Sequence, residues 1–232
     1  MSNDFYAGEV KSQSIAAKQM ANEYIQFCGT PKERGNIFMN APLSSKTYDT
    51  MITLNLADDK YLQINSENDG EQRYFHDETT IKYLDSKREI ILFKDSLHEG
   101  LESLKNMLLL SLNNELPVSE KTFLTGVGYE WNIYYHNLDE FSEEDPTELY
   151  SLWSVSPEIG SASWIYNRNS QIFFEISPQY LWDFIDSNVN EEQTSFEEFM
   201  ESYTFDAQFS LDRKVCIEMV KILEGFLSTV EL

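Results

Sequence analysis

Apolar positions along the chain follow two periods, one near 3.6 residues and one of 2, and each period occupies its own blocks. Ala16, Met20, Tyr24 and Phe27 recur at near-helical spacing, which predicts a helix over 14–28 ended by Gly29 and Pro31. Residues 36–94 change character. Met51, Thr53 and Asn55 fall on one face of a predicted strand, and Ile52, Leu54 and Leu56 on the other. Asp58-Asp59 marks a turn before a strand over 61–64. Asp85-Ser86-Lys87-Arg88 joins 81–84 to 90–93 as a hairpin, so this block reads as an antiparallel meander. From Asp95 the helical period returns. Ser96 and Glu99 have the spacing of a capping box, and Leu97, Leu101, Leu104, Leu108 and Leu112 make one apolar stripe. Asn113-Asn114 and Pro117 end it.

The run Tyr129-Glu130-Trp131-Asn132-Ile133-Tyr134-Tyr135 suits either a strand or one face of a helix, and its periodicity does not choose. Residues 139–148, acidic and containing Pro146, read as an exposed loop or a helix start. Residues 164–166 and 172–176 flank Asn167-Arg168-Asn169-Ser170, the clearest hairpin signal in the chain, and Ser177-Pro178 ends its second strand. Thr194-Ser195-Phe196-Glu197 can cap a short helix through Met200, and 203–211 alternates as a strand. The last helix is expected from Asp212 to Thr229 with Val215, Met219, Ile222, Leu223 and Phe226 on its buried face. Strands and helices in separate blocks predict an α+β protein: antiparallel sheets with packed helices, including an N-terminal and a C-terminal helix. Residues 1–232 are expected to form a single domain, loosely subdivided near residue 95.

Composition agrees with a folded chain. Apolar residues make up 41% and charged residues 25% of 232, which is globular rather than disordered. A chain of this size buries roughly 70–75% of its unfolded surface, so it needs no disulfide or structural metal. Cys28 and Cys216 are too few for a disulfide framework or a zinc site, and both are expected as buried thiols. The N-terminus, MSNDFYAGEV, has no basic or apolar region of a secretory signal, and the longest apolar stretch, around 107–112, is too short to span a bilayer. The expected location is therefore the cytoplasm.

Charge changes the picture. The chain has 40 acidic and 17 basic residues, a net of −23. Such a field repels nucleic acid and anionic membranes and attracts basic proteins. General solubility or a salt-adapted host would also produce an acidic chain, but neither requires segregation. Between Lys121 and Arg213 the only basic residue is Arg168, against 18 acids; the net there is −17, and the other 141 residues carry −6. The acids are interleaved with Trp131, Tyr134, Tyr135, Phe141, Tyr150, Trp153, Tyr180, Trp182 and Phe184. Acids set association rate and partner choice, while Trp and Tyr supply contact energy. The expected partner-binding residues are Asp139, Glu140, Glu143, Glu144, Asp145, Glu148, Trp153, Glu191, Glu192, Glu197 and Glu198.

Catalytic signatures are missing. His76, His98 and His136 stand apart in sequence, and no Gly-x-Ser-x-Gly elbow occurs. Gly126-x-Gly128 has no phosphate-binding pattern around it, and His98-Glu99 lacks the second His of a zincin helix. The acidic stretch 139–145 lacks the alternating ligands and central Gly of a calcium loop. No catalytic residue, metal or cofactor is expected. A carboxylate-dependent hydrolase with a dispersed active site remains the alternative, because paired carboxylates meet only in three dimensions.

The stretches Ser163-Trp164-Ile165-Tyr166-Asn167, Gln171-Ile172-Phe173-Phe174-Glu175-Ile176-Ser177-Pro178-Gln179-Tyr180-Leu181-Trp182 and Ser195-Phe196-Glu197-Glu198-Phe199-Met200-Glu201-Ser202-Tyr203 resemble small acidic bacterial proteins encoded beside polymorphic toxins, the immunity proteins of contact-dependent growth inhibition systems. The resemblance covers roughly 150–232 and rests on structural rather than catalytic motifs. It implies a cytoplasmic antitoxin that binds one cognate toxin domain, often a basic nuclease, by covering its active-site cleft. An acidic interaction module of another bacterial complex is the remaining reading.

Overall fold

A computed structural model describes residues 49–66, 74–119, 121–138, 144–153, 159–180 and 194–230. All of them belong to one compact unit, Lys46–Leu232. The expected helix over 14–28 and Cys28 lie outside the described residues.

The meander forms as its pattern predicts. β1 (Asp49–Ala57), β2 (Lys60–Ser66), β3 (Glu78–Leu84) and β4 (Glu89–Ser96) make an antiparallel sheet in chain order. Ile52, Leu54 and Leu56 are buried, while Thr53 and Asn55 are exposed. One irregularity departs from strict alternation. Ile81 pairs with Phe93 but Lys82 pairs with Ile91, so β4 carries an extra residue there. That bulge puts the consecutive residues Leu92 and Phe93 both inside and leaves Ile91 exposed.

α1 (Leu97–Leu112) begins where β4 ends. Its expected Ser96–Glu99 capping box does not form: Ser96 is the N-cap residue, but its side chain accepts no hydrogen bond. The free N–H groups are satisfied from elsewhere. Leu97 N donates to the Asp77 carbonyl at 2.9 Å and His98 N to the Phe75 carbonyl at 3.0 Å, so the chain before β3 caps the helix. The stripe Leu97, Leu101, Leu104 and Leu108 is buried as expected, and Leu112, the last residue of the helix, is half-buried.

The undecided run is helical: α2 spans Val127–His136. A short 3₁₀ turn, Glu148–Tyr150, follows. β5 (Ser161–Arg168), β6 (Gln171–Pro178) and β7 (Ala207–Leu211) form a second antiparallel sheet. Its hairpin is tighter than expected, because Arg168 pairs with Gln171 and only Asn169 and Ser170 turn. Both have positive φ, 52° and 63°, as a two-residue hairpin twisted to match its strands requires. Asn167 therefore sits in a strand, buried, and its side chain ties the end of α1 to β5: Nδ2 donates to the Ser111 carbonyl at 2.9 Å and Oδ1 accepts from Leu116 N at 3.2 Å.

α3 (Phe196–Glu201) carries its capping box one residue later than expected, between Ser195 and Glu198. α4 (Arg213–Leu227) is capped by Asp212 and buries Cys216, Met219, Val220 and Leu223. Val215 and Phe226 pack only partly against the core, and Ile222, expected inside, is 41% exposed. Burial pushes the Cys216 thiol up to about 12.

One apolar cluster runs through both sheets and across residue 95, from Ile52 in β1 through Leu101 in α1 and Trp164 in β5 to Leu223 in α4. α1 packs on α4, and α2 packs on β5 and β6.

Ser170 holds a left-handed conformation that glycine adopts without strain. Removing that strain gains roughly 1–2 kcal/mol, and the added freedom of the unfolded chain takes back about 0.5–1 kcal/mol. Ser170→Gly should therefore raise stability by about 0.5–1 kcal/mol, read as a higher urea midpoint at unchanged slope.

Candidate protein-binding face

α2 is mounted on the second sheet by two buried polar side chains. Glu175, at 0% exposure on β6, lies beneath the helix N-terminus. Its Oε1 accepts from Gly128 N at 2.7 Å and Ser177 Oγ at 3.1 Å. Its Oε2 accepts from Tyr166 Oη at 2.8 Å, Gln208 Nε2 at 3.2 Å and Val127 N at 3.3 Å. Helix N-terminal N–H groups have no partner within the helix and carry partial positive charge, so the carboxylate satisfies them and is stabilised by them. Burial and the Glu175 charge together hold the Tyr166 phenol well above its ordinary value.

The glycines of Gly126-x-Gly128 permit this approach. A Cβ at Gly128 would overlap Ser177 and Trp164, and one at Gly126 would overlap Phe205 and the Glu175 carboxylate. Asn132, one turn along α2, completes the mount. Its Nδ2 donates to the Gly128 carbonyl at 2.8 Å and the Pro178 carbonyl at 3.0 Å, and its Oδ1 accepts from Tyr180 N at 2.7 Å.

Held in this way, α2 meets acids on two sides. Tyr134 and Tyr135 face the segment around the 3₁₀ turn. Burial raises both phenols, and the charges of Asp145 and Glu148 add to it; Tyr135 reaches about 12. On another side, Tyr129, Ile133 and His136 share a groove of about 320 Å³ with Phe196, Glu197 and Met200 of α3. The His136 ring lies flat on Phe196 at 3.7 Å, with Tyr180 edge-on to Phe196 at 5.2 Å. α3 has no fully buried residue, so rings such as these and the Tyr180–Phe199 contact at 5.4 Å hold it in place.

The expected binding residues separate into groups. Glu144, Asp145 and Glu148 come together beside Tyr134, and Asp145 also fixes its own turn by accepting from Thr147 N at 2.7 Å. Glu197 lines the groove, while Glu198 caps α3. Trp153 belongs to the core: it is 4% exposed, its ring rests against Phe93, and its indole N–H donates to the Gly100 carbonyl at 3.0 Å. Trp131 and Tyr150 are buried as well. Asp139, Glu140, Glu143, Glu191 and Glu192 lie outside the described residues, as do Phe141, Trp182 and Phe184.

Ion pairing follows the same division. Among the described residues, the salt bridges join Lys82, Arg88, Lys94 and Lys105 to acids, and none involves Glu130, Glu144, Asp145, Glu148, Glu197, Glu198 or Glu201. Arg168, the one cation of the acidic interval, is occupied elsewhere. Its guanidinium donates to the Phe123 carbonyl at 2.6 Å and lies near the Tyr166 and Phe173 rings.

Glu175, Asn132 and the two glycines were not singled out from sequence as a set. The available signal was a carboxylate inside the apolar run Ile172-Phe173-Phe174-Glu175-Ile176, since a buried charge needs partners. Compared with protein-family models, curated proteins and solved structures, the chain matches none.

In Glu175→Gln, one amide edge turns N–H groups toward donors, and a backbone N–H cannot reverse to accept. The expected cost is about 3 kcal/mol, against less than about 0.5 kcal/mol for the exposed Glu197→Gln. Urea unfolding of the two variants measures the difference.

Proposed function

We propose that this chain is an immunity protein that binds and neutralises a basic toxin domain, by laying the α2 face and its flanking acids over the toxin's active-site cleft. The carrying observation is that an aromatic helix is bordered on two sides by carboxylates that none of the ion pairs among the described residues engages. Like charges left unpaired cost folding stability, and a basic partner relieves that cost on binding. Tyr134, Tyr135 and Tyr180 are part-exposed here, and such rings bury large area at low entropy cost when covered. A nuclease cleft, built to hold phosphate, presents the complementary Lys and Arg. Inhibition then needs no chemistry: the acids occupy the place of the phosphates and the rings exclude the substrate. The resemblance to contact-dependent growth inhibition immunity proteins supports the same reading. A bacterial cytoplasmic location goes with that reading.

The test is co-expression with the product of the adjacent gene. A complex should co-purify, abolish the toxin's activity, and associate more slowly as salt rises. Glu144→Lys with Glu148→Lys and Glu197→Lys should lower the association rate roughly tenfold or more at low salt while leaving the urea midpoint nearly unchanged. Absence of a complex, or a rate indifferent to salt, overturns the proposal.

A further inference from the structure

Resting on that reading, the geometry points to a specific contact: we infer that the groove between α2 and α3 is an arginine-binding slot, which takes a guanidinium from the partner between rings and carboxylate. Three features carry this. First, the groove is walled by ring and thioether faces, Tyr129, Phe196 and Met200 among them. Phe196 and His136 stack face to face, 3.7 Å and 10° apart, so each ring covers one face of the other. A guanidinium is a flat cation that stacks on such surfaces, whereas an ammonium is compact and strongly hydrated. Second, Glu197 lies at the groove, on an exposed helix turn, and takes part in no salt bridge among the described residues. A carboxylate so placed can receive the N–H edge of a stacked guanidinium as a charge-assisted pair. Third, the residues lining the groove include no Lys or Arg, and its one imidazole, His136, is stacked on Phe196, so a guanidinium for Glu197 comes from outside. A volume of about 320 Å³ is enough for a guanidinium and its methylene stem.

The slot is therefore the place where partner choice becomes more than attraction between opposite charges. The acids near Tyr134 would act on any basic surface, and the groove on one that presents arginine at the matching position.

The experiment uses the full chain with hexa-arginine and hexa-lysine peptides at low salt, read by calorimetry and by the NMR signal of the Met200 methyl group. Hexa-arginine should bind about fivefold more tightly than hexa-lysine and shift the Met200 methyl. Glu197→Gln should remove most of that preference, and Met200→Arg, which supplies the slot with its own guanidinium, should abolish it. Equal affinities with an unmoved Met200 signal overturn the slot and leave the acidic-face proposal standing. Binding of neither peptide overturns both. An arginine preference that survives Glu197→Gln and Met200→Arg places the preference elsewhere and also overturns the slot.

Discussion

A carboxylate at 0% exposure is held in this protein by five donors. An isolated buried charge is prohibitively costly, so each of those donors is a requirement and not an ornament. Two are the first N–H groups of α2, which fixes where that helix begins and how it lies on β6. Tyr166 and Gln208 come from the two neighbouring strands, so the same carboxylate joins all three strands of the second sheet. Gly126 and Gly128 follow, because a side chain at either position would overlap its surroundings. The position of Tyr129, Ile133, Tyr134 and His136, and hence the candidate face, descends from this one buried group.

The acids of the 122–212 interval do not share one role. Glu175 is internal, Asp212 caps α4, and Asp206 accepts from Ser161 Oγ at 2.7 Å and lies 3.9 Å from Arg88. The rest of the described acids sit on or beside α2 or on α3. The division has a physical basis. Acids consumed by caps and buried networks are fixed in geometry and contribute little outward field. Glu148 on the 3₁₀ turn and Glu197 on α3 are exposed, join no ion pair among the described residues, and act over a distance of a Debye length, about 8 Å at physiological salt. α3 is held by ring contacts and its own cap rather than by a core, which suits a groove wall that adjusts to what enters it.

Local pattern determined a great deal. Period-two alternation placed β1 to β4 in an antiparallel meander. The leucine stripe from Leu97 to Leu108 placed α1, and the apolar runs on either side of Asn169-Ser170 placed the β5–β6 hairpin, because each depends on neighbours a few residues apart. Charge segregation was likewise readable, since it is a count along the chain. What required the third dimension was every feature built from distant residues. α1 is capped by carbonyls of the chain before β3 and not by its own Ser96 and Glu99. The run from Tyr129 to Tyr135 is a helix because Glu175, more than forty positions away, receives its first N–H groups. Trp153 is interior because α1 offers the Gly100 carbonyl to its indole. Sequence alone determined which segment is acidic and aromatic. Tertiary structure decided which of those acids and rings face outward, because burial and hydrogen-bond partners are properties of pairs that only folding brings together.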